Sequence, residues 1–101
     1  MERFQIIENC LMVKLPLEVD HHIAAFICEK ADGYLLKENV EHIVFDFEET
    51  TFMDSSGIGI IMGRYKKISC FGGKIYVIHA GKQIKRVLTM AGLNKYVDVL
   101  E

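Results

Sequence analysis

Ile43-Val44-Phe45-Asp46-Phe47, followed by Phe52-Met53-Asp54-Ser55-Ser56-Gly57-Ile58-Gly59, is the stretch on which the reading turns. The first run is rich in β-branched and aromatic residues, with apolar side chains on both parities. That predicts a short strand over 41–47, covered on both faces. After the second run, Ile58, Ile61, Met62, Tyr65 and Ile68 recur at helical spacing. They predict a helix with one apolar stripe. Arg64, Lys66 and Lys67 are expected to face away from that stripe, near the C-terminal end of the helix dipole. Gly72-Gly73 supplies a stop. The hydroxyls of Ser55 and Ser56 therefore stand at a strand-to-helix junction, with Asp54 as a helix cap.

Working outward, the same alternation continues. Phe4–Ile7 and Cys10–Leu15 read as two short strands joined by a tight turn at Glu8-Asn9, ended by Pro16. Asp20 is a good N-cap. Behind it Ile23, Phe26, Ile27, Ala31, Tyr34 and Leu35 form an apolar stripe, and Gly33 weakens that helix by about 1 kcal/mol without ending it. Lys74–Ala80 is a further strand. Lys82–Ala91 is a third helix with Ile84, Val87, Leu88 and Ala91 on one side and Gly92 as its cap, and Tyr96–Leu100 is a last edge strand. The order ββαβαβαβ predicts an α/β fold with right-handed crossovers and a mixed, mostly parallel sheet.

Size and charge bound the function. The chain has 101 residues, and half of them are hydrophobic, which suits one domain over 1–101 with a real core. The net charge is −2 with both signs interspersed, which gives no basis for direct nucleic-acid binding or for a basic membrane surface. The basic run Arg64-Tyr65-Lys66-Lys67 is too short to change that. No apolar run approaches the roughly 20 residues that span a bilayer. Met1-Glu2-Arg3-Phe4 opens without the apolar segment of a signal peptide. Cys10, Cys28 and Cys70 are odd in number and none sits at C-x-x-C spacing, which predicts reduced thiols in a cytoplasmic protein and no metal or disulfide role. His21-His22 lack further converging ligands and read as a solvated or partner-contacting pair.

Three chemistries suit hydroxyls at such a junction. A nucleophilic serine needs a base, an orienting acid and an oxyanion hole. The local sequence is not the G-x-S-x-G elbow, and nothing in the sequence places His21, His22, His42 or His79 beside Ser55. A phosphate cradle would use Gly57, Gly59 and Gly63, but no Lys-Ser/Thr follows them and the dinucleotide spacing is one residue too long. Close packing of helix on sheet explains those glycines more simply. The third chemistry is acceptance of a phosphoryl group. A helix N-terminus has unpaired amides and partial positive charge. It tolerates the roughly −1.5 to −2 charges of a phosphoserine, leaving a partner to sense the change. A plain cap is compatible with such a site. These arguments do not choose between Ser55 and Ser56.

Phe52-Met53-Asp54-Ser55-Ser56-Gly57-Ile58-Gly59, with Gly63-Arg64-Tyr65-Lys66 after it, closely resembles bacterial anti-sigma factor antagonists of the STAS domain family. Glu18-Val19-Asp20-His21-His22, Glu41-His42-Ile43-Val44, Gly72-Gly73-Lys74, Lys85-Arg86-Val87-Leu88 and Met90-Ala91-Gly92-Leu93 extend the likeness over nearly the whole chain. The resemblance implies a non-enzymatic switch without a cofactor. The unmodified protein binds an anti-sigma factor that is also a serine kinase, and so frees a sigma factor. The kinase phosphorylates the serine directly after the aspartate, here Ser55, and a serine phosphatase restores it. The resemblance places Asp20 on the partner-binding surface, with Asp54 and Ser56 flanking the acceptor and Gly57 and Ile58 on the partner-facing start of the helix. Pro16-Leu17 departs from the glycine often found there, so the loop into the first helix is expected to differ in shape. Two other uses remain to weigh against the switch: a docking or scaffold STAS domain in a signalling or transporter assembly, and an enzyme acting through Ser55 or a nucleotide.

Overall fold

A computed structural model describes residues 3–100; Met1, Glu2 and Glu101, the ends of the expected 1–101 domain and of the opening Met1-Glu2 segment, lie outside the described residues. The chain runs β1 (Phe4–Ile7), β2 (Cys10–Lys14), β3 (Glu18–Val19), α1 (His21–Lys37), β4 (His42–Asp46), β5 (Phe52–Met53), α2 (Ser55–Ser69), β6 (Ile75–Ile78), α3 (Lys82–Met90), a 3-10 turn at Leu93–Lys95 and β7 (Asp98–Val99). No helix among the described residues is long and apolar enough to cross a membrane.

Five strands form one sheet in the order β1-β2-β4-β6-β7. The β1–β2 pair is an antiparallel hairpin, turned through Glu8 at φ 57°. The remaining pairs are parallel. From β2 onward each strand is added on the same side of the last. A right-handed crossover repeated in one direction puts its helix on the same face every time. The core therefore lies on one face only, where Leu11, Val13, Ile43, Phe45, Ile75 and Val77 are at most 1% exposed.

This corrects the expectation for the central strand. Val44 and its strand neighbours on the other face are half-buried, because no helix crosses there. The helical stripes also shift. In α1 Ile27 and Ala31 are buried as expected, with Ile23, Tyr34 and Leu35 against the core, but Phe26 is half exposed and the small Ala24 is buried in its stead. In α2 the deepest residues are Gly57, Ile60, Ile61, Arg64 and Ile68, with Ile58, Met62 and Tyr65 at the flanks. Arg64, expected outside, is buried between the helices. Its Nε lies 3.1 Å from Asp32 Oδ1 of α1, while Lys67 Nζ holds the other oxygen at 3.2 Å. Gly73 stops α2 against the strand layer: its amide donates to Ile68 O at 2.9 Å, and a Cβ there would strike the Glu41 carbonyl oxygen.

Candidate functional site

A second, two-stranded sheet positions the site. The sequence reading missed it. β3 and β5 pair in parallel, with Glu18 opposite Phe52 and Val19 opposite Met53. The next residue on each strand is an aspartate, and each aspartate starts a helix. The Asp54 amide donates to Val19 O at 3.2 Å, continuing the ladder to the caps themselves. Neighbouring strands lie about 4.8 Å apart, so the N-termini of α1 and α2 open side by side on one edge of the molecule. The signal was present as a repeated pattern, an apolar residue, then Asp, then a helix, at Val19-Asp20 and Met53-Asp54.

The two caps are built alike. Asp20 Oδ1 accepts from the amides of His22 and Ile23, each at 3.1 Å. Asp54 Oδ1 accepts from the Ser56 amide at 2.8 Å. Both aspartates have the extended backbone an N-cap requires. The Ile23 amide, with help from the His22 amide and the two histidine rings, holds the Asp20 carboxyl below the ordinary carboxylate range. Its burial acts in the opposite sense, more weakly. The rings of His21 and His22 lie 4.0 Å apart at the start of α1, both exposed.

Ser55 is the first helical residue of α2 and is exposed, whereas Ser56 is half-buried and has its amide engaged by Asp54. Ile58 is half-buried at the edge of the core. Gly57 differs from its expected place on the outer start of the helix: it is buried, and a Cβ there would overlap the side chain of Met53. Close packing explains this glycine. It does not explain Gly59 or Gly63, where a Cβ would meet open space. Asp20, Asp54, Ser55, Ser56, Gly57 and Ile58 thus gather at one pair of helix ends. Beside them, Leu17 and Phe52 expose about half of their surface, 58% and 48%. Thr51 and Phe52 donate their amides to Leu17 O, which ties the departing Pro16-Leu17 loop to this edge.

None of the four histidines stands in a described contact with either serine. His42 Nδ1 accepts from the Lys74 amide at 3.0 Å, and His79 Nδ1 lies 3.0 Å from Asp46 Oδ1. Asp46, Glu48 and His79 do converge beyond the ends of β4 and β6. Lys14 Nζ neutralises that group, 3.1 Å from Glu48, and Arg3 reaches Glu49 at 3.5 Å. These are surface ion pairs rather than a serine-activating base.

The STAS domain profile matches residues 3–101. An anti-sigma F factor antagonist of Paenibacillus polymyxa is 37% identical over 91 residues, which is 90% of this chain and 78% of that protein. SpoIIAA in its unphosphorylated form shares the fold at a TM-score of 0.87, with 24% identity over 97% of this chain and 86% of that one. The Bacillus cell fate determinant SpoIIAA in its phosphorylated form gives 0.76, with 26% identity over 97% and 91%. With the profile spanning the described fold and a relative matching nine-tenths of this chain at that identity, the chain belongs to the STAS domain family.

Proposed function

We propose that the chain is an anti-sigma factor antagonist switched by phosphorylation of Ser55. The observation that carries this reading is an exposed hydroxyl at the first position of α2, beside a second helix N-terminus capped in the same way. The existence of SpoIIAA in phosphorylated and unphosphorylated forms, on the same fold, supports it.

In the unmodified state the paired helix ends bind an anti-sigma factor with serine kinase activity, and a sigma factor is released. Asp20 and Asp54 each commit Oδ1 to their own helix, leaving Oδ2 for cationic or amide donors of the partner. Ser56 and Ile58 complete the contact, and Gly57 seats the helix from inside. The kinase transfers the γ-phosphoryl group of ATP to Ser55 Oγ, so this chain is its substrate. The dianion stands at a helix N-terminus, where it is worth about 0.3–1 kcal/mol to the fold, offset by the neighbouring Asp54 and Asp20 carboxylates. Folding is thus nearly indifferent. A partner shaped to the neutral hydroxyl is not, because like-charge juxtaposition costs several kcal/mol, and each 1.4 kcal/mol is tenfold in affinity. A serine phosphatase removes the group and restores binding. The setting is the cytoplasm, where kinase, ATP and sigma factor meet.

The test is intact mass after incubation with an anti-sigma factor kinase and ATP. Wild type gains one phosphate, Ser55→Ala gains none, and Ser56→Ala gains one. Phosphate retained on Ser55→Ala but lost on Ser56→Ala moves the site by one residue and contradicts the reading.

A further inference from the structure

The small net charge conceals a segregation along the chain. Residues 55–97 hold no aspartate or glutamate but eight of the 12 lysines and arginines, so all 14 acids fall outside that stretch. Helix α3 carries three of those cations in its first five residues, Lys82, Lys85 and Arg86. Its inner row, Ile84 and Leu88, is buried in the core. Its outer row is Lys82, Arg86 and Met90, spaced i, i+4 and i+8 and all exposed, Met90 at 81%. That row is about 12 Å long and lines a groove on the helix with Lys85 and Thr89. Among the described residues, the lysines and arginines paired with a carboxylate are Arg3, Lys14, Arg64 and Lys67. Lys82 and Arg86 belong to none of these pairs. Their positions also cost the helix. Cations repel the positive end of the helix dipole, no acid stands in the first turn, and Gly81 gives no side-chain cap. Residues that work against their own element are expected where a sequence serves something beyond the fold.

The place of α3 ties this face to the serine. Each of the three helices links two parallel strands, so all three begin at the edge where those strands end. α3 also packs against β5, the strand that runs into Asp54 and Ser55. We infer that the outer face of α3 is a second docking surface for the partner that acts on Ser55, and that it takes an acidic protein segment of that partner. Carboxylates of the segment meet Lys82 and Arg86, and an apolar side chain meets Met90. The inference rests on reading Ser55 as the phosphoryl acceptor. Charge complementarity selects the occupant. A cationic row of about 12 Å neutralises few phosphates, and the negative net charge of the chain opposes a long polyanion, which disfavours nucleic acid. One exposed methionine on a nine-residue helix is too little apolar surface to enter a bilayer boundary. A short acidic segment needs neither length nor insertion. Attraction between the two patches speeds encounter and fixes its register. It thereby aligns the rest of the partner with Asp20, Asp54 and Ser55.

Two probes test this. Affinity for an anti-sigma factor kinase is measured by calorimetry for wild type, for the double change Lys82→Glu with Arg86→Glu, and for a control of equal charge change, Lys30→Glu with Lys66→Glu, on the exposed sides of α1 and α2. The expected result is at least a tenfold loss for the α3 pair and less than a twofold loss for the control. The α3 pair should melt no lower than wild type, because acids then stand near the helix start. Wild-type affinity should fall as salt rises from about 50 to about 500 mM, and the α3 pair should flatten that slope. Poly-L-glutamate at low salt reads the surface without the kinase: it should bind wild type and the control, and not the α3 pair. A folded α3 pair that binds the kinase like wild type overturns the inference. So does a wild type that fails to bind polyglutamate, or an α3 pair that binds it equally well. Duplex DNA or phosphatidylglycerol vesicles held through Lys82 and Arg86 more tightly than polyglutamate give the face to another class of partner and also refute it. Failure of the Ser55 reading looks different: the kinase then adds no phosphate to wild type, and polyglutamate alone decides whether α3 takes an acidic segment.

Discussion

Asp54 and Asp20 perform the same local task one helix apart, and each residue has a separable consequence. Asp54→Ala removes the acceptor for the Ser56 amide and should cost about 1 kcal/mol of stability, read as a lower midpoint in urea. Asp54→Asn keeps an acceptor and should hold most of that stability. For Asp20 the effect is tied to pH. Its carboxyl is held below its ordinary 3.8 by the Ile23 amide, so the folded state favours the ionised form. A group depressed in this way contributes stability above its unfolded pKa and loses it as pH falls through the folded value. The difference in melting temperature between wild type and Asp20→Asn should be constant at neutral pH and change only below about pH 4. A change that sets in well above that range would contradict this assignment to the Asp20 carboxyl.

At the scale of elements, α2 is seated by a glycine and by a buried cation. Gly57 faces Met53, so Gly57→Ala should force the first turn of α2 outward or Met53 out of its site, at about 1–3 kcal/mol. Gly63 has open space where a Cβ would stand, and Gly63→Ala should stabilise by about 0.5–1 kcal/mol. Equal effects at the two positions would refute the close-packing account of Gly57. Arg64 links α2 to Asp32 of α1. Replacement of both partners of a buried ion pair by well-packed apolar side chains is often neutral or stabilising, whereas removal of one partner is not. The double change Arg64→Met with Asp32→Leu should therefore melt near wild type, and Arg64→Ala alone well below it. The helices themselves were legible in the sequence, since caps at Asp20 and Asp54 and stops at Gly73 and Gly92 mark their ends. Their buried faces were less so. Periodicity alone cannot separate Ile58 from Ile60, or reveal that a charged Arg64 fills a core row because Asp32 of α1 compensates it. The two-residue strands β3 and β5 were missed because so short a ladder has no periodicity to read.

For the whole molecule, sheet order and function follow from how the crossovers repeat. Alternating strands and helices foretold a mixed, mostly parallel sheet. They did not foretell that all three helices share one face, because that depends on the direction in which each strand is added, which no local pattern encodes. The place of the candidate site at the start of α2 was legible from helix-end physics, and the choice of Ser55 within it rests on the family resemblance. Its pairing with Asp20 was not legible from the residues, because it arises from the β3–β5 ladder. That ladder sets the two capped helix N-termini on one edge of the molecule, where a phosphate on Ser55 would alter a surface rather than a fold. The central claim is therefore tested most directly by one comparison: the affinity of the chain for an anti-sigma factor kinase, measured by calorimetry for wild type and Ser55→Asp, beside the thermal melt of each. The account predicts at least a tenfold loss of affinity with melting temperatures within a few degrees. Unchanged affinity, or a collapsed fold in Ser55→Asp, would contradict it.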